Sequence, residues 1–166
     1  MNSSVCAYIA LGANLGDPVA QLQAALAAIA AHPALTLQAT SSFYASAPVG
    51  YADQPDFVNA VAAVSTTLAP QQLLDALLDI EQQLGRVRTF RNAPRTLDLD
   101  VLLHGDAVLA STTLTLPHPR MHERAFVLLP LLELAPELHI PGLGPAAAFL
   151  PHVADQNLTR LAVPAA

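Results

Sequence analysis

At 166 residues, the chain is expected to form one domain, residues 1–166, since domains run roughly 100–200 residues. Apolar residues make up 53% and charged residues 12%, the reverse of the balance in a disordered chain. The net charge of −6 argues against nucleic acid as a partner, because duplex binding rests on basic patches.

Val5 to Leu11 is a short apolar run ending at Gly12, and it reads as a buried strand followed by a turn that Gly12 and Asn14 shape. Asp17 and Pro18 form an N-cap and first-turn pair, and Val19, Leu22, Leu26 and Ile29 follow at helical spacing until Pro33. From Leu35 to Tyr44 the residues alternate roughly as in a half-buried strand, with Leu35, Leu37, Ala39 and Phe43 on one side. A loop with Pro48, Gly50 and Pro55 leads to a β-branched strand, Phe57 to Thr67. Pro70 opens a second helix with Leu73, Leu77, Ile80 and Leu84 in phase, and Gly85 sits at its C′ position. Leu97 to Leu103 is a further apolar strand, and His104-Gly105-Asp106 turns the chain into two short extended pieces ending near Pro117. A last helix is expected from Met121 to Leu134, bent at Pro130. The order of strand, helix, strand, strand, helix, strand is that of the ferredoxin-like βαββαβ core, an α+β sandwich with helices packed on an antiparallel sheet. The tail after about Pro141 is rich in Ala and Pro, and loose packing is expected there.

All seven basic residues are arginine, so a phosphate-loop lysine and Schiff-base chemistry are excluded. Four of them, Arg86, Arg88, Arg91 and Arg95, fall within one short segment. An acidic protein that concentrates positive charge in this way is expected to bind an anion there, and the planar guanidinium fork matches phosphate. The one cysteine, Cys6, precludes an internal disulfide and fits a reducing compartment. No apolar run approaches the roughly 18 residues of a membrane span, and the amino terminus lacks a signal peptide's basic flank. A cytoplasmic, monomeric protein without a membrane partner is expected.

The chemistry concentrates in the stretch from Arg91 to Leu103. On a strand, Asp98 and Asp100 share one face, about 7 Å apart along the chain, while Leu97, Leu99 and Val101 share the other. Two like charges side by side can be a solvated edge, but the apolar run of Val101 to Leu103 argues for burial. A hard divalent cation explains the pair: Mg²⁺ takes carboxylate oxygens and completes its shell with phosphates and water. Phe57 and Asn59 also share a strand face, and a ring beside an amide suits a flat heterocycle, although a core Phe beside a capping Asn reads equally well. His32, His104, His139 and His152 show no metal-ligand spacing.

The stretch from Arg91 to Leu102 resembles, position for position, the signature of 6-hydroxymethyl-7,8-dihydropterin pyrophosphokinases. Four further blocks are similar to the same family in the same order. These are Tyr8 to Asp17, Ser41 to Asn59, Ile80 to Arg88, and Pro117 to Phe126. Together they cover about residues 5–140. The resemblance implies transfer of pyrophosphate from ATP to the hydroxymethyl group of the pterin, with release of AMP in folate biosynthesis. It further implies that Asp98 and Asp100 hold two Mg²⁺ and that Arg86 and Arg95 act on the transferred group. Leu74, Glu81, Arg88, Arg91, Val101, Thr115, His118 and Arg124 would bind ATP, and Ser46, Ala47, Val49, Phe57, Asn59 and Phe126 the pterin. Read without the family, Leu74, Leu78 and Glu81 are a broad apolar helix face ending in a solvated Glu, and His118 is a loop histidine. Phosphoryl transfer needs positioning and electrostatics more than covalent help, and no residue stands out as a general base. The loop between Arg88 and Arg95 is one residue shorter than in some members, Asn92 stands where some carry Trp, and Thr113 stands near a position where others place Arg. Rival readings are another Mg²⁺-dependent ATP kinase or phosphohydrolase, and a catalytically silent ferredoxin-like binding module.

Overall fold

The computed structural model describes residues 4–13, 17–46, 57–84 and 97–161. The strand expected from Val5 extends through Gly12 as β1, Val5–Ala13. Its odd-numbered residues Ala7, Ile9 and Leu11 are buried on one face, with Tyr8, Ala10 and Gly12 on the other. Helix α1, Pro18–Ala31, begins as its sequence indicates: Asp17 accepts a hydrogen bond from the Ala20 amide at 3.1 Å, and Pro18 occupies the first turn.

The segment expected as one strand from Leu35 to Tyr44 is instead broken into β2, Leu35–Thr40, and β3, Tyr44–Ser46. Ser41 causes the interruption by closing a local exchange with the next strand. Its amide donates to the Val61 carbonyl and its Oγ accepts from the Val61 amide, each at 2.9 Å. Both pieces pair antiparallel with β4, Phe57–Thr66. Helix α2, Pro70–Leu84, and β5, Asp98–His104, complete the βαββαβ core. The sheet order is β3-β4-β1-β5, every pairing antiparallel, the arrangement expected of a ferredoxin-like fold.

The sheet separates two cores. On one face α1 and α2 pack Leu22, Leu26, Ile29, Leu73, Leu77 and Ile80 against Ile9, Leu11, Ala60, Ala62, Leu99 and Val101. On the other face the second core gathers Val61, Leu102, Leu103, Met121, Val127, Leu128 and Leu131. A bulge explains why Leu102 and Leu103, though adjacent, serve the same core. Tyr8 pairs with Leu103 and Ile9 with Val101, leaving Leu102 as the extra residue. Below the bulge, Asp98 and Asp100 keep to the face of Ala10 and Gly12, their register partners.

Two short strands, β6 Leu109–Ala110 and β7 Thr115–Leu116, form a separate hairpin after β5, and the Leu116–Pro117 peptide is cis. The expected helix from Met121 to Leu134 is divided. A 3-10 turn, Met121–Glu123, gives way to α3, Ala125–Leu134, because Arg124 is extended at φ −125°, ψ 117°. The interruption thus falls at Arg124, while Pro130 lies buried within α3. The tail is the larger departure from expectation. It forms the hairpin β8 His139–Ile140 with β9 Gly144–Pro145, then a 3-10 helix, Ala146–Val153, and β10, Thr159–Arg160. It packs because Ile140, Ala146 and Val153 are buried in the second core, and β10 pairs with β3. Apolar residues scattered among Ala and Pro gave no periodicity from which to read this.

Candidate active site

Among the described residues, the sheet face that carries the second core continues beyond the N-terminal end of α3. A cavity of about 600 Å³ lies there. Strands β1, β4 and β5 supply Gly12, Asn59, Phe57, Asp98 and Asp100, β3 supplies Ser46, and the start of α3 supplies Arg124 and Phe126. The pairing register brings these together: Gly12 lies opposite both Asn59 and Asp98, and Ser46 opposite Phe57.

Asn59 is buried, and its Nδ2 donates to Ser46 Oγ at 3.1 Å. Its Oδ1 lies over Gly12, where an added Cβ would meet it at 3.0 Å. Gly12 therefore sits within β1 rather than in the turn expected of it, and the absence of a side chain makes room for the Asn59 amide. Arg124 lies over the Phe126 ring, with Cζ 5.5 Å from the centroid. This cation–π contact holds a positive charge beside an apolar surface at the cavity.

The backbone that presents Arg124 and Phe126 is held from the tail. Arg124 gives α3 no side-chain cap. Instead the Ala125 amide donates to Gln156 Oε1 at 2.8 Å, and Gln156 Nε2 donates to the Glu123 carbonyl at 2.9 Å. Gln156, Asn157 and Leu158 also line the cavity, as do Ala10, Leu11 and Ala125. Sequence reasoning missed these residues. No motif or periodicity marks Gln156 to Leu158, and only the folded tail brings them here.

Leu74, Glu81, Val101, Thr115 and His118 lie away from the cavity lining, grouped around β5, the end strand of the sheet. Glu81 is 3% exposed and its Oε2 accepts from the Leu99 amide at 2.6 Å, between the two aspartates in sequence. The solvated Glu of the plain helix-face reading is thus a buried tie from α2 to β5. Leu78, in contrast, is exposed. Leu74 is half-buried against the main core, and the Val101 side chain is buried in it. Thr115 is exposed on β7. The His118 amide donates to the Leu102 carbonyl at 3.0 Å, and its Nδ1 accepts from the Arg120 amide at 3.2 Å. The neutral ring therefore carries its proton on Nε2. Burial lowers the His118 pKa; the Asp100 carboxylate opposes this, and Arg124 and Arg120 reinforce it. Ala47, Val49, Arg86, Arg88, Arg91 and Arg95 lie outside the described residues.

Other histidines have local structural partners: His104 Nε2 is 2.7 Å from the Leu68 carbonyl, and His32 Nδ1 accepts from the Ala34 amide. At the far end of α3, Glu133 accepts from Tyr44 OH at 2.6 Å and from the Ser42 amide and hydroxyl at 2.8 and 3.1 Å. Burial disfavours its charge, but these donors outweigh that and lower its pKa. The contact ties α3 to β3, beside Ser46.

Among the described residues no group of three or more His, Cys, Asp or Glu side chains could hold a metal. Asp98 and Asp100 both line the cavity and put two carboxylates on one strand face. That fits a hard cation such as Mg²⁺, which takes few protein oxygens and draws the rest of its shell from phosphates and water.

The family model for 7,8-dihydro-6-hydroxymethylpterin-pyrophosphokinase matches residues 8–136. The chain belongs to this pyrophosphokinase family. It is 48% identical to the 2-amino-4-hydroxy-6-hydroxymethyldihydropteridine pyrophosphokinase of Haemophilus influenzae, over 95% of this chain and 98% of that one. It is 55% identical to the protein of the same name from Pseudomonas aeruginosa, over 81% of this chain and 83% of that one. Among solved structures, a Plasmodium falciparum HPPK-DHPS with pterin and p-hydroxybenzoate superposes with a TM-score of 0.77 at 14% identity, covering 98% of this chain. That likeness supports the fold. This pyrophosphokinase-family chain spans 48% of the length of that longer protein. The family match ends at residue 136, whereas the cavity wall continues to Leu158.

Proposed function

We propose that the chain transfers the β,γ-pyrophosphate of ATP to the hydroxymethyl oxygen of 6-hydroxymethyl-7,8-dihydropterin. The substrate oxygen forms a bond to the β-phosphorus, the bond from that phosphorus to the α,β-bridging oxygen breaks, and AMP leaves. The hydroxyl proton passes to solvent. One observation carries the reading: a single cavity joins rings and an amide suited to a flat heterocycle with two carboxylates and an arginine suited to a polyphosphate.

Phe57 and Phe126 offer ring faces on which a pterin stacks. Asn59, with Ser46 orienting its amide, offers a donor and an acceptor to the pterin edge. Arg124 contributes a fixed positive charge toward the phosphates. His118, neutral near pH 7 and protonated on Nε2, offers a hydrogen bond to a phosphate oxygen without adding charge. Glu81, tied to the β5 backbone at Leu99, sets the height of the strand from which both aspartates project. Asp98 and Asp100 would hold Mg²⁺, two ions in this reading, and the metal would neutralise charge on the phosphates during transfer. From the sequence resemblance, Arg86 and Arg95 act on the transferred group, Arg88 and Arg91 on ATP, and Ala47 and Val49 on the pterin. A monomer is a further proposal, tested by sedimentation, and the single cysteine accords with a reducing, cytoplasmic compartment. Among the described residues no helix is long and apolar enough to cross a membrane.

The test is chromatography of the nucleotides after incubation with Mg·ATP and the pterin alcohol. AMP formed in step with pterin diphosphate is expected. ADP as the nucleotide product would mean single phosphoryl transfer and overturn the reading.

A further inference from the structure

We propose that Gln156, in the tail beyond the family match, is a positioning residue that sets both the pterin and the phosphate contacts of the cavity. The inference rests on the function proposed above.

Its carboxamide bridges two backbone groups that flank Arg124. Oε1 accepts from the Ala125 amide and Nε2 donates to the Glu123 carbonyl. A planar amide that satisfies a donor on one side and an acceptor on the other fixes the peptide planes between them, as a neighbouring strand would. Those planes carry Arg124, whose extended backbone separates the 3-10 turn from α3. The first turn of α3 presents Phe126, against which Arg124 rests. A tilt of this segment would therefore move the cation and the ring together.

A role in positioning follows from where the bridge lies. The Ala125 amide is one of the first-turn donors that a helix leaves without an intrahelical partner. An N-cap side chain serves the second or third helical amide, so it leaves the Ala125 amide to another partner, and Arg124 makes no side-chain cap and faces the cavity. The cap is supplied from 31 positions along the chain, by a residue that itself lines the cavity. Gln156 is solvent-exposed, so water competes for its bonds and they add little to global stability. Their effect is on direction.

The experiment uses the full chain and Gln156→Ala, Gln156→Glu and Ile140→Val. Ile140 is buried in the tail hairpin and does not touch residues 123–126 by any hydrogen bond described, so its variant loosens the tail without cutting the bridge. Dissociation constants are measured by calorimetry for 6-hydroxymethylpterin and for α,β-methylene-ATP with Mg²⁺, alongside melting temperature and amide exchange at Ala125. Gln156→Ala should weaken both ligands by about two- to tenfold, the equivalent of about one net hydrogen bond misaligned at each ligand. It should release protection at Ala125 and leave the melting temperature nearly unchanged. Gln156→Glu retains the acceptor for Ala125 but sets a carboxylate against the Glu123 carbonyl, and should restore Ala125 protection while recovering affinity only in part. Ile140→Val should lower the melting temperature and leave both affinities alone. Wild-type affinities in Gln156→Ala, or an equal loss of affinity in Ile140→Val, would overturn the role of Gln156. A wild-type chain that does not bind the pterin would overturn the function proposed above and this inference with it.

Discussion

Replacing Gly12 with Ala adds one methyl group at the point where β1 passes beneath the Asn59 amide. The new Cβ would lie 3.0 Å from Asn59 Oδ1, several tenths of an ångström inside ordinary contact. Asn59 has little freedom to retreat, being 6% exposed and bonded to Ser46 Oγ at 3.1 Å. The amide must rotate or shift, and it then misaligns with the pterin edge. Losing one well-formed hydrogen bond is worth about 0.5–1.5 kcal/mol net, or about two- to twelvefold in affinity. The backbone effect has the opposite sign: Gly within a strand is less favourable than Ala by roughly 0.5–1 kcal/mol, which offsets the cost of moving the amide. The melting temperature should therefore move by less than about 2 °C, given the few degrees per kcal/mol typical of this size. Titration calorimetry with 6-hydroxymethylpterin and, separately, with α,β-methylene-ATP reads the result. Weaker pterin binding with unchanged nucleotide binding is expected. Undiminished pterin affinity would show that Asn59 does not read the heterocycle, and a melting temperature several degrees lower would show that Gly12 serves the strand itself.

Asp98→Asn and Asp100→Asn should each lower Mg²⁺-dependent AMP formation by about a hundredfold or more, while leaving the metal-free melting temperature close to wild type; a melting temperature that collapses would make the carboxylates structural. His118 has a pKa below its ordinary 6.5, so its neutral form stabilises the fold fully above pH 6.5 and that contribution is lost as pH falls from 6.5 through the folded value. The melting-temperature advantage of wild type over His118→Asn should accordingly shrink between pH 7 and pH 5, and a constant gap would contradict it. Tyr44→Phe deletes the 2.6 Å bond to Glu133 and should cost about 1 kcal/mol, read as a fall of roughly 2–4 °C by calorimetry.

Much of the molecule was legible in the sequence because its determinants are local. The apolar run of β1, the alternation in β5 and the helical phase of α2 each depend on neighbours a few residues away, and Asp17-Pro18 specifies the start of α1 through its own side chain and ring. The period of two along β5 placed Asp98 and Asp100 on one face, and the same period placed Phe57 beside Asn59. The family resemblance added the chemistry that these pairs share. What the sequence could not show depends on contacts between distant segments. Ser41 breaks the second strand because its hydroxyl finds the Val61 amide, a partner 20 residues on. Gly12 reads locally as a turn former, and only the β1–β4 register reveals that it makes space for Asn59. The bulge at Leu102, which sends two adjacent leucines into one core, is a matter of pairing with β1. Gln156 has no local signature at all: a carboxamide becomes a cap and a cavity wall only when the tail has folded across the second core and brought it to Glu123 and Ala125. Sequence periodicity determined which residues share a face, and tertiary packing decided which faces meet, because hydrogen bonds and burial between remote segments leave no period in the chain that forms them.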